Sequence, residues 1–189
     1  MLARAMAYGV AIPAELEGES DPMEVLAWSA VSRDQHLISI LDQTLTEAET
    51  EAVSSATLVS GAVGVIDRAR ALGIGVAIVS NNSAECIVKF LQIQGLSNSI
   101  AAIVARPPER PEKMKPDPYV VLRALEILEI KASNGLMVGD SLTDIQAAQA
   151  VGVPIIALAN RPAKIEPFTA LAPDAVILDM TTLADALER

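Results

Sequence analysis

The sequence predicts an α/β domain, a doubly wound parallel sheet that carries a small helical lobe at its N-terminal end. From about Gly61 onward, helical apolar stripes alternate with short runs rich in Val and Ile, the order of a parallel sheet covered by helices on both faces. Apolar residues make up 51% of the chain and aromatics only 3%, so the interior has to be built from Ala, Val, Ile and Leu. That mixture suits helices packed on a buried sheet. Residues 1–57 differ: they carry helical stripes broken by turn signals at Ile12-Pro13 and Asp21-Pro22, with no strand pattern. We therefore divide the 189 residues into a helical lobe over 1–57 and an α/β core over 58–189.

In the lobe, Met1 to Tyr8 reads as the end of a helix, and Val25, Leu26 and Trp28 to Val31 are expected to pack on Leu37, Ile38, Leu41 and Leu45. In the core, Ala62, Val65, Ile66, Ala69 and Leu72 recur at helical spacing, and Gly73 supplies a stop. Gly75 to Ser80 reads as strand. Asn82 or Ser83 is placed to cap the next helix, with Glu85 near enough to complete a capping box and Ile87, Phe90 and Leu91 as the buried stripe. Strands are expected at Ile100 to Ala105, Gly135 to Gly139, Val153 to Ala159 and Ala175 to Leu178. Helices are expected at Tyr119 to Leu128, Ile145 to Val151 and Thr181 to Leu187.

Charge narrows the partners. With 24 acidic and 14 basic residues the formal charge is -10, which repels nucleic acid and anionic membranes unless cations cluster on one face. The nearest cluster, Arg106 to Lys115, is diluted by prolines and glutamates and reads as a solvated loop. No apolar run approaches the ~18 residues of a spanning helix, and no basic stretch leads into an apolar core. The single cysteine, Cys86, rules out an internal disulfide and is read as helix filling. These features lead us to expect a cytoplasmic protein with no membrane or nucleic-acid partner. Oligomeric state is left open by the sequence.

Functional groups of an open parallel sheet collect beyond the carboxyl ends of its strands. The first strand ends Ser80-Asn81-Asn82-Ser83, where a hydroxyl and free helix-start amides would face one point, an anion site. Another ends Gly139-Asp140-Ser141-Leu142-Thr143-Asp144, with one carboxylate at the strand tip and a second in the first helical turn. Such a pair suits a hard cation such as magnesium, which takes oxygen ligands and is held by carboxylates together with phosphate oxygens. Between them, Lys115 in Lys113-Met114-Lys115-Pro116-Asp117-Pro118 could hold a phosphoryl group by its charge. Each feature alone has an ordinary explanation: Ser80 as a cap, Asp144 as an acidic residue favoured near a helix start, Lys115 as a surface lysine. Their order along alternating strands and helices is what makes them informative together.

On these residues the chain resembles the haloacid dehalogenase (HAD) superfamily of hydrolases, with Ser80 as the second motif, Lys115 as the third, and Asp140 with Asp144 as the fourth. The tract Gly139 to Ala148 followed by Ala150-Val151-Gly152-Val153-Pro154 is similar to the phosphoglycolate-phosphatase-like branch, and the helices before position 58 resemble the cap which that branch inserts. The resemblance implies a HAD-like Rossmannoid core and a phosphatase acting on a small phosphorylated substrate through a phosphoaspartate. Ser80, the amide of Asn81 and Lys115 would bind phosphate, Lys115 would also neutralise the nucleophile, Asp140 would hold Mg2+, and Asp144 would ligate or orient from behind. Haloacid dehalogenation fits less well, because Asp140 and Asp144 are both present. A receiver or nucleotide-binding domain lacks its mark, a Gly-rich fingerprint after the first strand.

The family pattern also requires a strand ending Asp-x-Asp-Gly-Thr, whose first aspartate is the nucleophile and whose second works as acid and base. The nearest string is Leu37-Ile38-Ser39-Ile40-Leu41-Asp42-Gln43-Thr44-Leu45, with Ile40 at the nucleophile's place. An isoleucine cannot attack phosphorus, and the neighbours continue a helical pattern, so we read the string as a decoy in the last cap helix. The first strand is then expected upstream of Met1, in a form longer than this one. Its absence predicts either a gap between Val76-Val79 and Leu136-Val138 or a forced pairing of the two. Candidate substrate-facing residues are Arg4, Arg33 and Arg106; His36 is read as a surface or packing residue. The competing reading is a non-catalytic phosphate-binding or regulatory domain that has lost the nucleophile.

Overall fold

The computed structural model describes residues 1–16 and 18–188; Glu17, within the expected lobe, and Arg189, the last residue of the expected core, lie outside the described residues. The N-terminal layer is helical: α1 (Leu2–Ala7), α2 (Pro22–Ser32) and α3 (Gln35–Ala52). Asp21 starts α2 by accepting the Met23 N–H at 2.8 Å, with Pro22 at the first helical position where a missing N–H does no harm. Arg33 ends it at φ 55, in the left-handed region. Asp34 then caps α3 by accepting the N–H groups of His36 and Leu37 at 3.0 and 3.1 Å.

Leu37, Leu41 and Leu45 share one face of α3 and bury against Val25 and Leu26 of α2, Ala5 of α1 and Met114 from the segment before Tyr119. Each leucine removed from water in this way contributes about 2 kcal/mol. Val31, expected in the same contact, is 78% exposed, because its position on α2 points away from the face that holds Val25 and Leu26. The string Leu37 to Leu45 is helical throughout, so Asp42 stands on a helix and not at a strand tip.

The rest of the chain alternates as α4 (Ala62–Ala71), β1 (Ala77–Val79), α5 (Ala84–Ile93), β2 (Ala102–Val104), α6 (Tyr119–Ile127), β3 (Met137–Gly139), α7 (Leu142–Ala150), β4 (Ile155–Leu158), α8 (Ile165–Ala170), β5 (Ala175–Ile177) and α9 (Met180–Ala186). Helix α8 was not expected from sequence. Pro167 disguises it, yet a proline is tolerated in a first turn, and Phe168 anchors the helix in the core. Gly61, which precedes α4, has φ +82, and a Cβ there would lie 2.5 Å from the Thr181 nitrogen, so α4 and α9 approach as closely as they do only over a glycine.

All pairings are parallel, but the strands form two separate sheets. β1 pairs with β2 in the register Ala77↔Ala102 and Val79↔Val104, and β4 lies between β3 and β5. Among the described residues no strand stands between β1 and β3, which is the gap expected from the absent first motif. β4, paired on both sides, buries Ile155 and Ala157 at 1% and 0% exposure, whereas all of β1 is only half-buried. The halves still share a core: Val79 packs against the cluster of Ile145, Ala147, Ile155, Ala157 and Phe168.

Candidate active site

The loop after β1 is shaped by its own polar groups. Ser80 extends the ladder by donating its N–H to Val104 O at 3.0 Å, and its Oγ accepts the Asn82 N–H at 3.1 Å. Ser83 caps α5, accepting the Cys86 N–H at 3.3 Å. The reciprocal bond expected from Glu85 is made instead by Glu49 of α3, whose Oε2 accepts the Ser83 N–H at 2.9 Å. A carboxylate 34 residues away in the chain thus supplies what the local sequence was expected to supply, because α3 packs directly against α5.

Lys115 is tied to this loop twice. The Asn81 side chain clasps its peptide, Oδ1 accepting the Lys115 N–H at 2.8 Å and Nδ2 donating to its C=O at 3.1 Å. The ammonium then reaches across the gap between the sheets, donating to Val79 O at 3.2 Å and to Asp144 Oδ1 at 2.6 Å. Both side chains of that ion pair are below 10% exposure, at 9% and 7%. A buried pair of this kind holds its geometry, since either ion left alone would be strongly unfavourable.

At the tip of β3, Ser141 and Asp144 form a capping box at the start of α7. Ser141 Oγ accepts the Asp144 N–H at 3.1 Å, while Asp144 Oδ2 accepts the N–H groups of Ser141 and Asp140 at 3.1 and 3.0 Å. Gly139 makes room for this turn, because a Cβ there would fall 2.3 Å from the Asp144 Cβ. The ordinary reading of Asp144 and the functional one therefore hold together: one oxygen caps the helix and the other binds Lys115. Asp140 points outward, its carboxylate 55% exposed and paired with Lys164 Nζ at 2.8 Å.

The two carboxylates consequently differ as metal ligands. Asp140 is accessible and could take a magnesium ion in exchange for its lysine partner, whose ammonium binds both its carboxylate and its carbonyl. Both oxygens of Asp144 are committed, which fits a residue that orients the turn and Lys115 better than one that ligates a metal directly. Among the described residues no group of three His, Cys, Asp or Glu side chains is gathered to hold a metal. The rim between the sheets thus brings together a buried ammonium, a hydroxyl on a tight loop and an exposed carboxylate, a set able to take an oxyanion and a hard cation side by side.

The other expectations sort unevenly. The stretch from Arg106 to Lys115 is no solvated loop: Arg106 is 3% exposed, and Pro111 and Met114 are buried. Arg106 therefore does not face substrate but is sealed under α3, bonded to Asp42 and Glu49. The signal that was available is the spacing of Asp42, Thr46 and Glu49, three polar residues on one face of a helix beside its leucine stripe. Lys164, in the stretch leading into α8, carried no sequence signal. Arg4 and Arg33 are exposed, and His36 is exposed and meets Tyr8 in a tilted ring contact, with centroids 5.2 Å apart and planes at 59°. Cys86 is buried; burial first, and then the Glu49 charge, push its thiol above the ordinary value. No helix among the described residues is long and apolar enough to cross a membrane.

The family model for haloacid dehalogenase-like hydrolases matches residues 19–158. The chain is 31% identical over 124 residues to the phosphoglycolate phosphatase of Thiobacillus denitrificans, covering 66% of this chain and 54% of that protein. It is 30% identical over 135 residues to the phosphoglycolate phosphatase of Rhodospirillum rubrum, covering 71% and 55%. In fold it is similar to a HAD-superfamily hydrolase from Ehrlichia chaffeensis, with a TM-score of 0.61, 20% identity, and coverage of 98% of this chain and 84% of that one. The chain spans about half the length of the curated relatives it matches.

Proposed function

This chain belongs to the haloacid dehalogenase-like hydrolase family, and on that premise we propose that it is the phosphate-handling part of a phosphatase acting on a small phosphorylated metabolite. The observation that carries the reading is Lys115, whose ammonium spans the open interval between β1 and β3 and is held at 2.6 Å from Asp144. A buried cation beside an unfilled interval between strand tips supports a reading in which an anionic group and a further strand sit there.

In this reading a phosphoryl group sits beside Ser80, Asn81 and Lys115. The Ser80 hydroxyl donates to one phosphate oxygen, the Asn81 amide to another, and Lys115 balances the charge that builds on the transferring group. Asp140 would hold Mg2+, which when bound supplies further positive charge against the phosphoryl oxygens. Asp144 acts by fixing Lys115 and the turn that presents Asp140. The nucleophilic carboxylate comes from a strand outside these residues, seated between β1 and β3, and residues 1–57 act as a cap over the rim.

The test is a phosphate-release screen with magnesium over sugar phosphates, nucleotides and phosphoglycolate. It compares this chain with one extended upstream by a strand ending Asp-x-Asp. Turnover only in the extended form, abolished by Lys115→Ala, is the expected result; equal turnover in the short form sinks the claim about the nucleophile. The alternative, a phosphate-binding domain without catalysis, rests on the lack of an Asp-x-Asp string in the sequence. It predicts phosphate binding in both forms and turnover in neither.

A further inference from the structure

One buried charged cluster is not used by the phosphate chemistry above. Arg106, just beyond β2, makes four side-chain bonds: Nε donates to Asp42 Oδ1 at 2.7 Å, one Nη to Glu49 Oε1 and to Asn81 O, both at 2.8 Å, and the other Nη to Thr46 Oγ1 at 3.2 Å. The two carboxylates reach into the core with their second oxygens as well. Glu49 accepts the Ser83 N–H at 2.9 Å and Asp42 accepts the Glu109 N–H at 3.0 Å. The guanidinium is 1% exposed as a side chain, and the carboxylates of Asp42 and Glu49 are 12% and 9% exposed.

Adhesion between α3 and the core does not call for such a cluster. Apolar residues of similar volume would hold the two layers at least as well, since burying ions carries a large desolvation penalty. What the ions add is direction, and the direction is specific. The carbonyl that Arg106 holds belongs to the peptide joining Asn81 to Asn82, and the N–H at the other end of that rigid plane donates to Ser80 Oγ at 3.1 Å. The side chain of the same Asn81 clasps the Lys115 peptide from both sides. Rotation of this one peptide would therefore move the Ser80 hydroxyl and the lysine together.

We propose that Arg106, fixed by Asp42 and Glu49 of α3, is a positioning residue for the oxyanion site: it passes the seating of the N-terminal helices on the core to Ser80, Asn81 and Lys115. The inference rests on the reading of those three residues as a phosphate cradle. It adds a residue that touches no substrate but sets where the cradle's groups stand, so that displacement of α3 would loosen phosphate.

The experiment uses the full chain and inorganic phosphate with magnesium as the probe, with Arg106→Lys, which keeps the charge but not the fork, and Glu49→Gln, which keeps the shape. Phosphate affinity is read by calorimetry, amide hydrogen exchange of Lys115 and Asn82 by NMR, and global stability by urea unfolding. Arg106→Lys is expected to weaken phosphate binding about tenfold, the equivalent of one charge-assisted hydrogen bond. It should also speed exchange at Lys115 and Asn82 beyond any change in the β3 to β5 amides. Added to Asn81→Ala, it should cause no more than about threefold further loss, because both changes cut one path. Should Arg106→Lys fail to fold, Glu49→Gln carries the same comparison with a smaller effect. Exchange at Lys115 and Asn82 that stays at the parent rate in a folded variant overturns the proposal. Failure of the parent chain to bind phosphate removes the cradle reading instead, and the exchange data then still decide whether Arg106 sets these groups.

Discussion

The seam beneath α3 and the rim at the tip of β3 are both made of lysine or arginine paired with carboxylates, yet they behave as opposites. At the seam, Arg106 is almost fully buried and shared between Asp42 and Glu49. At the rim, Asp140 is 55% exposed and its partner Lys164 is 28% exposed. The Lys115–Asp144 pair, whose carboxylate lies four residues from Asp140 in the chain, belongs with the seam by burial. Burial therefore decides what a charged pair is for: buried pairs hold geometry, and the exposed carboxylate remains available to an incoming cation.

Substitutions can break or sharpen this contrast. The largest effect is expected from Arg106→Met, which leaves Asp42 and Glu49 buried without a cation and should lower stability by about 3–5 kcal/mol in urea unfolding. Replacing all three by apolar residues should return much of that loss; no recovery would mean that something other than unpaired charge is responsible. Asp144→Ala should follow at about 3 kcal/mol, because it strands the Lys115 ammonium and removes the capping box of α7. Gly139→Ala is expected at about 2 kcal/mol, since the new methyl group must displace the Asp144 side chain.

Lys164→Ala should change stability by no more than about 0.5 kcal/mol while raising magnesium affinity about two- to fivefold, read by calorimetry on the two proteins. A loss of stability as large as that of Arg106→Met would erase the distinction between seam and rim. The smallest signal is kinetic. Cys86, buried and with its thiol pushed up by burial and by Glu49, should label slowly with a maleimide and faster once Arg106→Met loosens the seam.

Much of this was legible in local sequence. Ser83 caps α5 as its place before the apolar stripe leads one to expect, and the strand tips at Ser80 and Asp140 stand where the alternation of elements puts them. The strands proved shorter than their apolar runs, at three or four residues each, because the flanking residues leave the ladder for turns. Helix α8 was hidden by Pro167, and Arg106 was misread because prolines and charges beside it suggested solvent.

Apart from α8, sequence alone determined the order of helices and strands and which polar residues end the strands at Ser80 and Asp140, since these follow from periodicity and from bonds between residues a few positions apart. Only the tertiary structure decided who pairs with whom: Glu49 with Ser83, Arg106 with Asp42 and Asn81, Lys115 with Asp144. It also decided that β1 and β3 would not meet. A charged side chain carries no mark of its partner, and the choice is made by whichever counter-charge the packing of distant elements seals away from water beside it.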